Sequence, residues 1–312
     1  MTAIPFTKMA GTGNDFVLVD ALRHDLAPLR RQWAALAVSL CDRRKGIGAD
    51  GLLVLDRSRV ADVRMRIFNP DGSEPSMCGN GVRCLALYAA RHGVARRPMR
   101  IETGAGIKRA EVKRGNRVRV DMGIPTLLAH FPRLSLQDGG ACHADWLNTG
   151  VPHVVCWVDR VERVDVPRRG RWLRTHRRFQ PDGANVDFVA AIEPVEPQDV
   201  AQSKAAVHRL RVAMRTYERG VEGETQACGT GAIAAAASAA HRALLSPSMK
   251  RTMRASFRVE VRVPGGVLRV ELSAARSTTG QPLRFGHAFL EGRVRRVSQG
   301  RVAWEGNGGG SA

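Results

Sequence analysis

The sequence predicts a mixed α/β chain (α+β mixed) built as two pseudo-symmetric domains. Three observations carry this: β-branched runs recur from end to end, three segments have helical apolar periodicity, and a Cys-Gly-X-Gly motif occurs twice in similar surroundings. Strand-like runs lie at residues 16–19, 52–55, 63–68, 118–121, 154–158, 186–189, 210–217, 259–263 and 267–272. Residues 29–41 gather Trp33, Leu36, Ala37 and Leu40 on one helical face, and residues 81–92 do the same with Val82, Leu85, Ala86 and Ala89. Residues 231–245 are alanine-rich and too apolar all round for a surface helix.

At 312 residues and 44% hydrophobic composition, the chain is long enough for two ordinary cores. Its formal charge of +20 points to an anionic partner such as nucleic acid, a membrane surface or a charged metabolite. Only six of the 49 cationic residues are lysine, however, and the arginines are scattered along the chain with no recognition motif. That pattern reads as compositional bias, so no nucleic acid is expected, and a basic nucleic-acid-binding protein stands as the competing reading from another class. The densest cluster, Arg168, Arg169, Arg171, Arg174, Arg177 and Arg178, is expected to be a solvated loop or edge.

Six cysteines at irregular spacings (Cys41, Cys78, Cys84, Cys142, Cys156, Cys228) form neither a disulfide framework nor a zinc knuckle, and no metal is expected. The first eight residues lack a signal pattern, and the apolar run at residues 232–240 is too short to cross a bilayer. A cytoplasmic setting without membrane association is therefore expected. Residues 306–312 are expected to form a flexible glycine-rich tail.

The internal repeat is the most informative feature. Aligned on their cysteines, Glu74-Pro-Ser-Met-Cys78-Gly-Asn-Gly81 and Glu224-Thr-Gln-Ala-Cys228-Gly-Thr-Gly231 share Glu, Cys and both glycines. Earlier in each half, Thr12-Gly13-Asn14 resembles Thr149-Gly150-Val151, and Gly48-Ala49-Asp50 resembles Gly183-Ala184-Asn185. Three pairs in the same order imply two equivalent domains. A boundary is expected at the turn Gly123-Ile124-Pro125, with domains of residues 1–124 plus 292–305 and 125–291.

A cysteine at a helix start meets the positive end of the helix dipole, which is expected to lower its pKa from about 8.5 toward neutrality. Neighbouring glycines leave backbone N–H groups open to a carboxylate. Two such motifs, meeting at an interdomain cleft, suggest one thiol on each side of a substrate. Inverting an α-carbon needs that arrangement, because a proton leaves one face and another arrives at the opposite face. Without a carbanion-stabilising cofactor, the helix N-termini must supply the electrostatic stabilisation. No lysine lies in an obvious pyridoxal context, so no cofactor is expected.

At these residues the chain resembles the diaminopimelate epimerase family. The resemblance runs from Phe6-Thr-Lys-Met-Ala-Gly-Thr-Gly-Asn14-Asp-Phe through Arg66-Ile-Phe-Asn69-Pro-Asp-Gly-Ser-Glu and Met77-Cys78-Gly-Asn80-Gly-Val-Arg to Tyr217-Glu218-Arg219-Gly220 and Gln226-Ala-Cys228-Gly-Thr230-Gly. It implies interconversion of LL- and meso-2,6-diaminopimelate, in lysine and peptidoglycan synthesis, by a cofactor-free two-thiol mechanism. It also implies two domains, each a sheet wrapped around a central helix, with the last strand, near residues 293–304, returning to the first domain. Carried over by resemblance, Cys78 and Cys228 are the acid/base pair, and Gly79, Asn80, Gly229 and Thr230 hold the reacting end of the substrate. Asn14, Asn69, Asn185, Glu218 and Arg219 match further substrate contacts, and His153 and Glu218 match groups that tune the thiols. The competing readings are a structural role for His153, a surface ion pair for Glu218 and Arg219, and turn positions for the asparagines.

Two positions depart from the family pattern. Gly51 stands where some members carry glutamine, and Val151 stands in place of the asparagine of Gly-Asn-Pro-His. Both loosen the assignment of the distal end of the substrate, so racemases of histidine or hydroxyproline type remain alternatives. The expected partner is a small molecule, with a homodimer possible.

Overall fold

The structure, a computed structural model, describes residues 2–95, 98–192, 207–249, 251–276 and 283–304. The tail expected at residues 306–312 lies outside these. The chain divides into two compact units, Met1–Val120 with Gly292–Ala312, and Asp121–Glu291. The break falls inside a strand rather than at the Gly123-Ile124-Pro125 turn.

The first unit contains β1 (Thr2–Gly11), β2 (Asn14–Asp20), α1 (Trp33–Cys41), β3 (Leu52–Asp56), β4 (Val63–Phe68), α2 (Gly79–Arg91), β5 (Met99–Thr103), β6 (Gly106–Lys113) and the start of β7 (Arg117–Gly123). From β1 to β6, successive pairings are antiparallel, parallel, antiparallel, parallel and antiparallel. The C-terminal strand Ala288–Trp304 pairs antiparallel with β1, placing Val302 opposite Ile4. β2 and β3 are buried on both faces, so they read as continuous apolar runs. Val17, Val19, Leu52 and Val54 pack with Trp33, Leu36 and Leu40 of α1, while the alternate residues point to the other face. On that face lies α2, which touches all six strands from β1 to β6. Its residues are buried all round through Ala89.

The second unit contains β8 (Thr126–Ser135), β9 (Ala141–Asn148), β10 (Pro152–Trp157), α3 (Val166–Arg174), β11 (Asn185–Ala191), β12 (Val207–Glu218), β13 (Gly223–Thr225), α4 (Gly229–Leu245), β14 (Arg254–Val263), β15 (Gly266–Ala275) and β16 (Arg284–Phe285); Ala288–Trp304 is β17. Through β9, β10, β11, β12, β14 and β15, the pairings again run antiparallel, parallel, antiparallel, parallel, antiparallel. β8 adds antiparallel to β9, and α4 touches all six strands of this ladder. Each unit is thus a sheet around a central helix.

The ladders also share register. Val17 opposite Leu52 matches Val154 opposite Val186; Leu52 opposite Phe68 matches Val186 opposite Tyr217; Val54 opposite Arg66 matches Phe188 opposite Arg215. This equates Arg66 with Arg215. Both form two-pronged ion pairs with the shared motif glutamate, Arg66 with Glu74 at 2.8 and 2.7 Å and Arg215 with Glu224 at 2.6 and 2.7 Å. The repeated glutamate therefore ties the cysteine loop to the strand that precedes it.

Two expectations are corrected. The arginine cluster is no loop: Arg168 to Arg174 lie in α3, and Arg177 and Arg178 lie in the 3-10 turn Arg177–Phe179. Asp165 caps α3 by accepting from Arg168 N at 3.1 Å, and Val166, Gly170 and Leu173 supply a buried stripe at helical spacing. The helix expected over residues 29–41 begins at Trp33, after a separate 3-10 turn, Ala27–Leu29.

Gly170 seats α3 on β12. A Cβ there would lie 2.4 Å from Tyr217 Cβ and 2.6 Å from its Cγ, the rigid root of a buried ring. Gly170→Ala should therefore destabilise the protein by about 1–3 kcal/mol, overriding the helix-propensity gain of about 1 kcal/mol. Urea unfolding checks this; a stabilised variant would contradict the tight seat.

Candidate active site

In the first unit Cys78 is the N-cap of α2, in an extended conformation, and its Sγ accepts from Gly81 N at 3.4 Å. The N–H groups of Gly79 and Asn80 open the helix and have no intrahelical acceptor. Gly81 is set by packing: a Cβ there would lie 2.9 Å from Leu53 Cδ2 and 3.4 Å from Ile67 Cδ1. The helix start thus rests directly on the sheet.

Around it runs a chain of oriented amides. Arg83, fully buried, donates Nη2 to Asn80 Oδ1 and to Thr12 Oγ1 at 3.3 Å. Asn80 Nδ2 donates to Asn14 Oδ1, and Asn14 Nδ2 donates to Asp50 Oδ2 at 3.0 Å. A cation at one end and a carboxylate at the other fix both amide orientations. Asp50 is held in turn by Arg43 at 2.7 Å, and Asp15 by Arg43 at 2.9 Å and Lys8 at 3.0 Å. Thr12 carries a positive φ of 45° in the two-residue turn between β1 and β2, an unusual conformation for a β-branched residue. Its carbonyl accepts from Asn80 Nδ2 at 3.4 Å. Strain and side-chain positioning coincide at this turn.

Arg83 Nε and Nη1 have no hydrogen-bond partner, and burial lowers the guanidinium pKa to about 10. It is still charged at neutral pH. The anionic groups that act on it are the thiolate forms of Cys84 and Cys78. Burial pushes Cys84 up to about 12, so that thiol stays protonated. A negative charge on Cys78 would be favoured by this buried cation.

In the second unit Cys228 caps α4, 5% exposed, with Sγ 3.3 Å from Thr230 Oγ1. Thr230 Oγ1 lies 3.0 Å from His153 Nε2, His153 Nδ1 lies 2.7 Å from Asp187 Oδ2, and Asp187 Oδ1 accepts from Thr216 Oγ1 at 2.7 Å. Asn185 Oδ1 accepts from Arg219 N at 2.8 Å, which turns Asn185 Nδ2 toward His153 Nε2 at 3.3 Å. Facing donors, Nε2 is the acceptor, so the proton sits on Nδ1 against Asp187. The hydrogen bonds then run from the Cys228 thiol through the Thr230 hydroxyl to His153 and Asp187. His153 reaches the sulfur only through Thr230.

The lowered pKa expected at a helix start does not hold for Cys228. Burial, then the charges of Glu218 and Asp187, push its thiol well above the ordinary range, and the Thr230 hydroxyl and Gly231 N–H offset this only in part. Glu218, at the end of β12, has its own carboxyl raised by burial. Arg219 donates Nη1 to Asp182 O at 3.1 Å. Gly229 and Thr230 open α4, as Gly79 and Asn80 open α2. Asn69 Nδ2 donates to Ser73 Oγ at 2.9 Å within its own turn. Val151 O accepts from Thr149 N at 3.1 Å, leaving its side chain out of the polar network.

The shared register shows what differs between the half-sites. Phe16, Leu53 and Ile67 occupy the positions of His153, Asp187 and Thr216. Strand register aligns Gly51, rather than the Asp50 of the sequence match, with Asn185, and a Cβ at Gly51 would lie 2.9 Å from Phe68 O and 3.5 Å from the Phe16 ring. Counting from the cysteines, Arg83 matches Ile233. One thiol therefore sits on an apolar floor beside a buried cation, the other over a polar floor with two carboxylates. Arg83, Asp187 and Thr216 are not singled out by the sequence; the signal for Arg83 is a lone arginine inside a buried helix.

Glu218→Gln removes one of the charges that keep Cys228 protonated. The pH at which iodoacetamide begins to alkylate Cys228 should fall, and at neutral pH Cys78 should react faster than Cys228 in the unsubstituted protein. Peptide mass spectrometry across a pH series checks both; an upward shift for Cys228, or its faster alkylation, would contradict this electrostatic account.

A family model described as diaminopimelate epimerase matches residues 6–128 and 146–285. The diaminopimelate epimerase of Desulforudis audaxviator is 42% identical over 311 residues, covering 95% of this chain and 98% of the relative. Among solved structures, a phenazine biosynthesis protein of the PhzF family from Bacillus anthracis aligns with a TM-score of 0.64 at 18% identity, over 97% of this chain and 100% of its own. A hydroxyproline epimerase from Agrobacterium vitis, solved with bound trans-4-hydroxy-L-proline, aligns with a TM-score of 0.62 at 16% identity, over 97% of this chain and 93% of its own. At such identities the structural likeness concerns the fold.

Proposed function

The chain belongs to the diaminopimelate epimerase family, and from that premise we propose that it interconverts LL- and meso-2,6-diaminopimelate by proton transfer through Cys78 and Cys228. The observation that carries this reading is the pair of cysteine-capped buried helices set in opposite electrostatic surroundings. A two-base inversion needs one thiolate and one thiol at the outset. The Arg83 cation favours the thiolate at Cys78, while burial with Glu218 and Asp187 keeps Cys228 a thiol.

In the forward step the Cys78 thiolate takes the α-proton, forming S–H as the C–H bond breaks and its electron pair moves into the carboxylate-conjugated carbanion. Cys228 gives its proton to the opposite face, forming the new C–H bond and leaving a thiolate. The other stereoisomer uses the complementary protonation state. The N–H groups at the starts of α2 and α4, which suit a carboxylate, would stabilise the charge that grows on the substrate carboxylate. Asn14 and Asn80, oriented from Arg83 and Asp50, and Asn185 with Arg219 are assigned to substrate positioning. Asn69, Glu218, Gly79, Gly229 and Thr230 complete that set, and His153 acts on Cys228 through Thr230. Both thiols must stay reduced, which suits a reducing compartment such as the cytoplasm. Among the described residues, no helix is long and apolar enough to cross a membrane.

Cys78→Ser and Cys228→Ser should each lower kcat for LL-diaminopimelate by at least about 100-fold, the lower end of general acid–base contributions. Chiral chromatography of the meso product checks this. Full activity in either variant would remove the two-base scheme.

A further inference from the structure

Asp145 on β9 is 1% exposed, and donors from two other elements converge on it. His130 Nδ1 from β8 lies 2.7 Å from Asp145 Oδ1; His241 Nδ1 from α4 lies 3.1 and 3.2 Å from the two oxygens; Ser238 of α4 also donates to Oδ2. One ligand atom from each of His130, Asp145 and His241 lies within 4.8 Å of the others. His130 and Asp145 border a cavity of about 240 Å³, whose wall also includes His143, Trp157 and Arg242. We propose that His130, Asp145 and His241 form a binding site for a first-row divalent cation of the zinc class, with an open coordination position toward this cavity.

Chemistry and spacing support the assignment. Two imidazole nitrogens and one carboxylate suit zinc, cobalt and nickel, and three protein ligands leave a position for water or a small ligand. Metal bonds of about 2.0–2.1 Å in a tetrahedral site set neighbouring ligand atoms about 3.3 Å apart. The observed nitrogen–oxygen spacings of 2.7 and 3.1 Å need only a small expansion. An imidazole that carries its proton on Nε2 presents the Nδ1 lone pair to a cation. Trp157 Nε1 donates to Ser238 Oγ at 2.8 Å, and the Arg242 guanidinium covers the Trp157 ring at 4.3 Å, so the surroundings are themselves ordered.

The cluster is separate from the thiol chemistry. His241 lies thirteen residues after Cys228 on the same helix, about 20 Å along its axis at 1.5 Å per residue. It also falls outside the internal repeat: counted from the cysteines, Ser238 and His241 match Tyr88 and Arg91 of α2. Sequence separations of 15 and 96 residues hide it from any local metal motif.

The test is titration of the chelator-treated full chain with Co²⁺ after its accessible thiols have been capped with iodoacetamide, which removes them as competing ligands. One equivalent should bind with a visible d–d absorption band, and Zn²⁺ should displace it. His130→Ala, which alters a partly exposed strand position, should weaken binding at least tenfold while leaving far-UV circular dichroism unchanged. No Co²⁺ binding by the unsubstituted chain, or equal affinity after His130→Ala, would overturn the proposal. Should His130→Ala perturb folding, His130→Gln, which keeps much of the volume, gives the same reading.

Discussion

The close seating of each central helix on its sheet is the constraint from which the rest follows. Gly81 allows α2 to meet Leu53, and Gly231 allows α4 to approach Asp187, whose Oδ1 would lie 2.5 Å from any Cβ placed there. A side chain at either position would lift the first helical turn off the strands. The cysteine capping that turn would move with it, as would the N–H groups beside it. Burial of the helices and placement of the thiols are thus one packing problem, solved twice with the same strand order.

Within that duplicated frame, small differences at matched positions set the chemistry. Exchanging Leu53 for Asp187, Phe16 for His153 and Ile67 for Thr216 turns an apolar floor into a hydrogen-bonded relay. Exchanging Ile233 for Arg83 places a buried cation under the other thiol. Inversion needs one thiolate and one thiol at the outset, and these surroundings favour a different form at each cysteine. The Asp145 cluster is a third difference, with no such group among the described residues of the other unit.

The parts of this picture legible in the sequence are those carried by local pattern. β2, β3, β4, β10, β11 and the buried helices α2 and α4 follow from apolar runs and periodicity, and the cysteine motifs lie at the helix starts where glycine spacing put them. β8 was missed because it is largely exposed and lacks a dense apolar run. α3 was hidden because arginine occupies its solvent face, and only Asp165 and the Val166, Gly170, Leu173 spacing mark it. The motif glutamate was visible as a match but not as an arginine clamp, since its partner lies on the preceding strand. The raised Cys228 thiol was illegible for a related reason. The helix dipole is a local property, but the carboxylates opposing it come from β11 and β12, and only strand register brings them together.

The most direct test of the central claim is conversion of LL-diaminopimelate in deuterated water by the reduced protein, stopped at low conversion and read by mass spectrometry of the separated isomers. Two-base transfer predicts meso product carrying one deuterium at the inverted α-carbon while recovered LL substrate is still protiated. Meso product formed without deuterium, or equal labelling of substrate and product from the first time point, would contradict it.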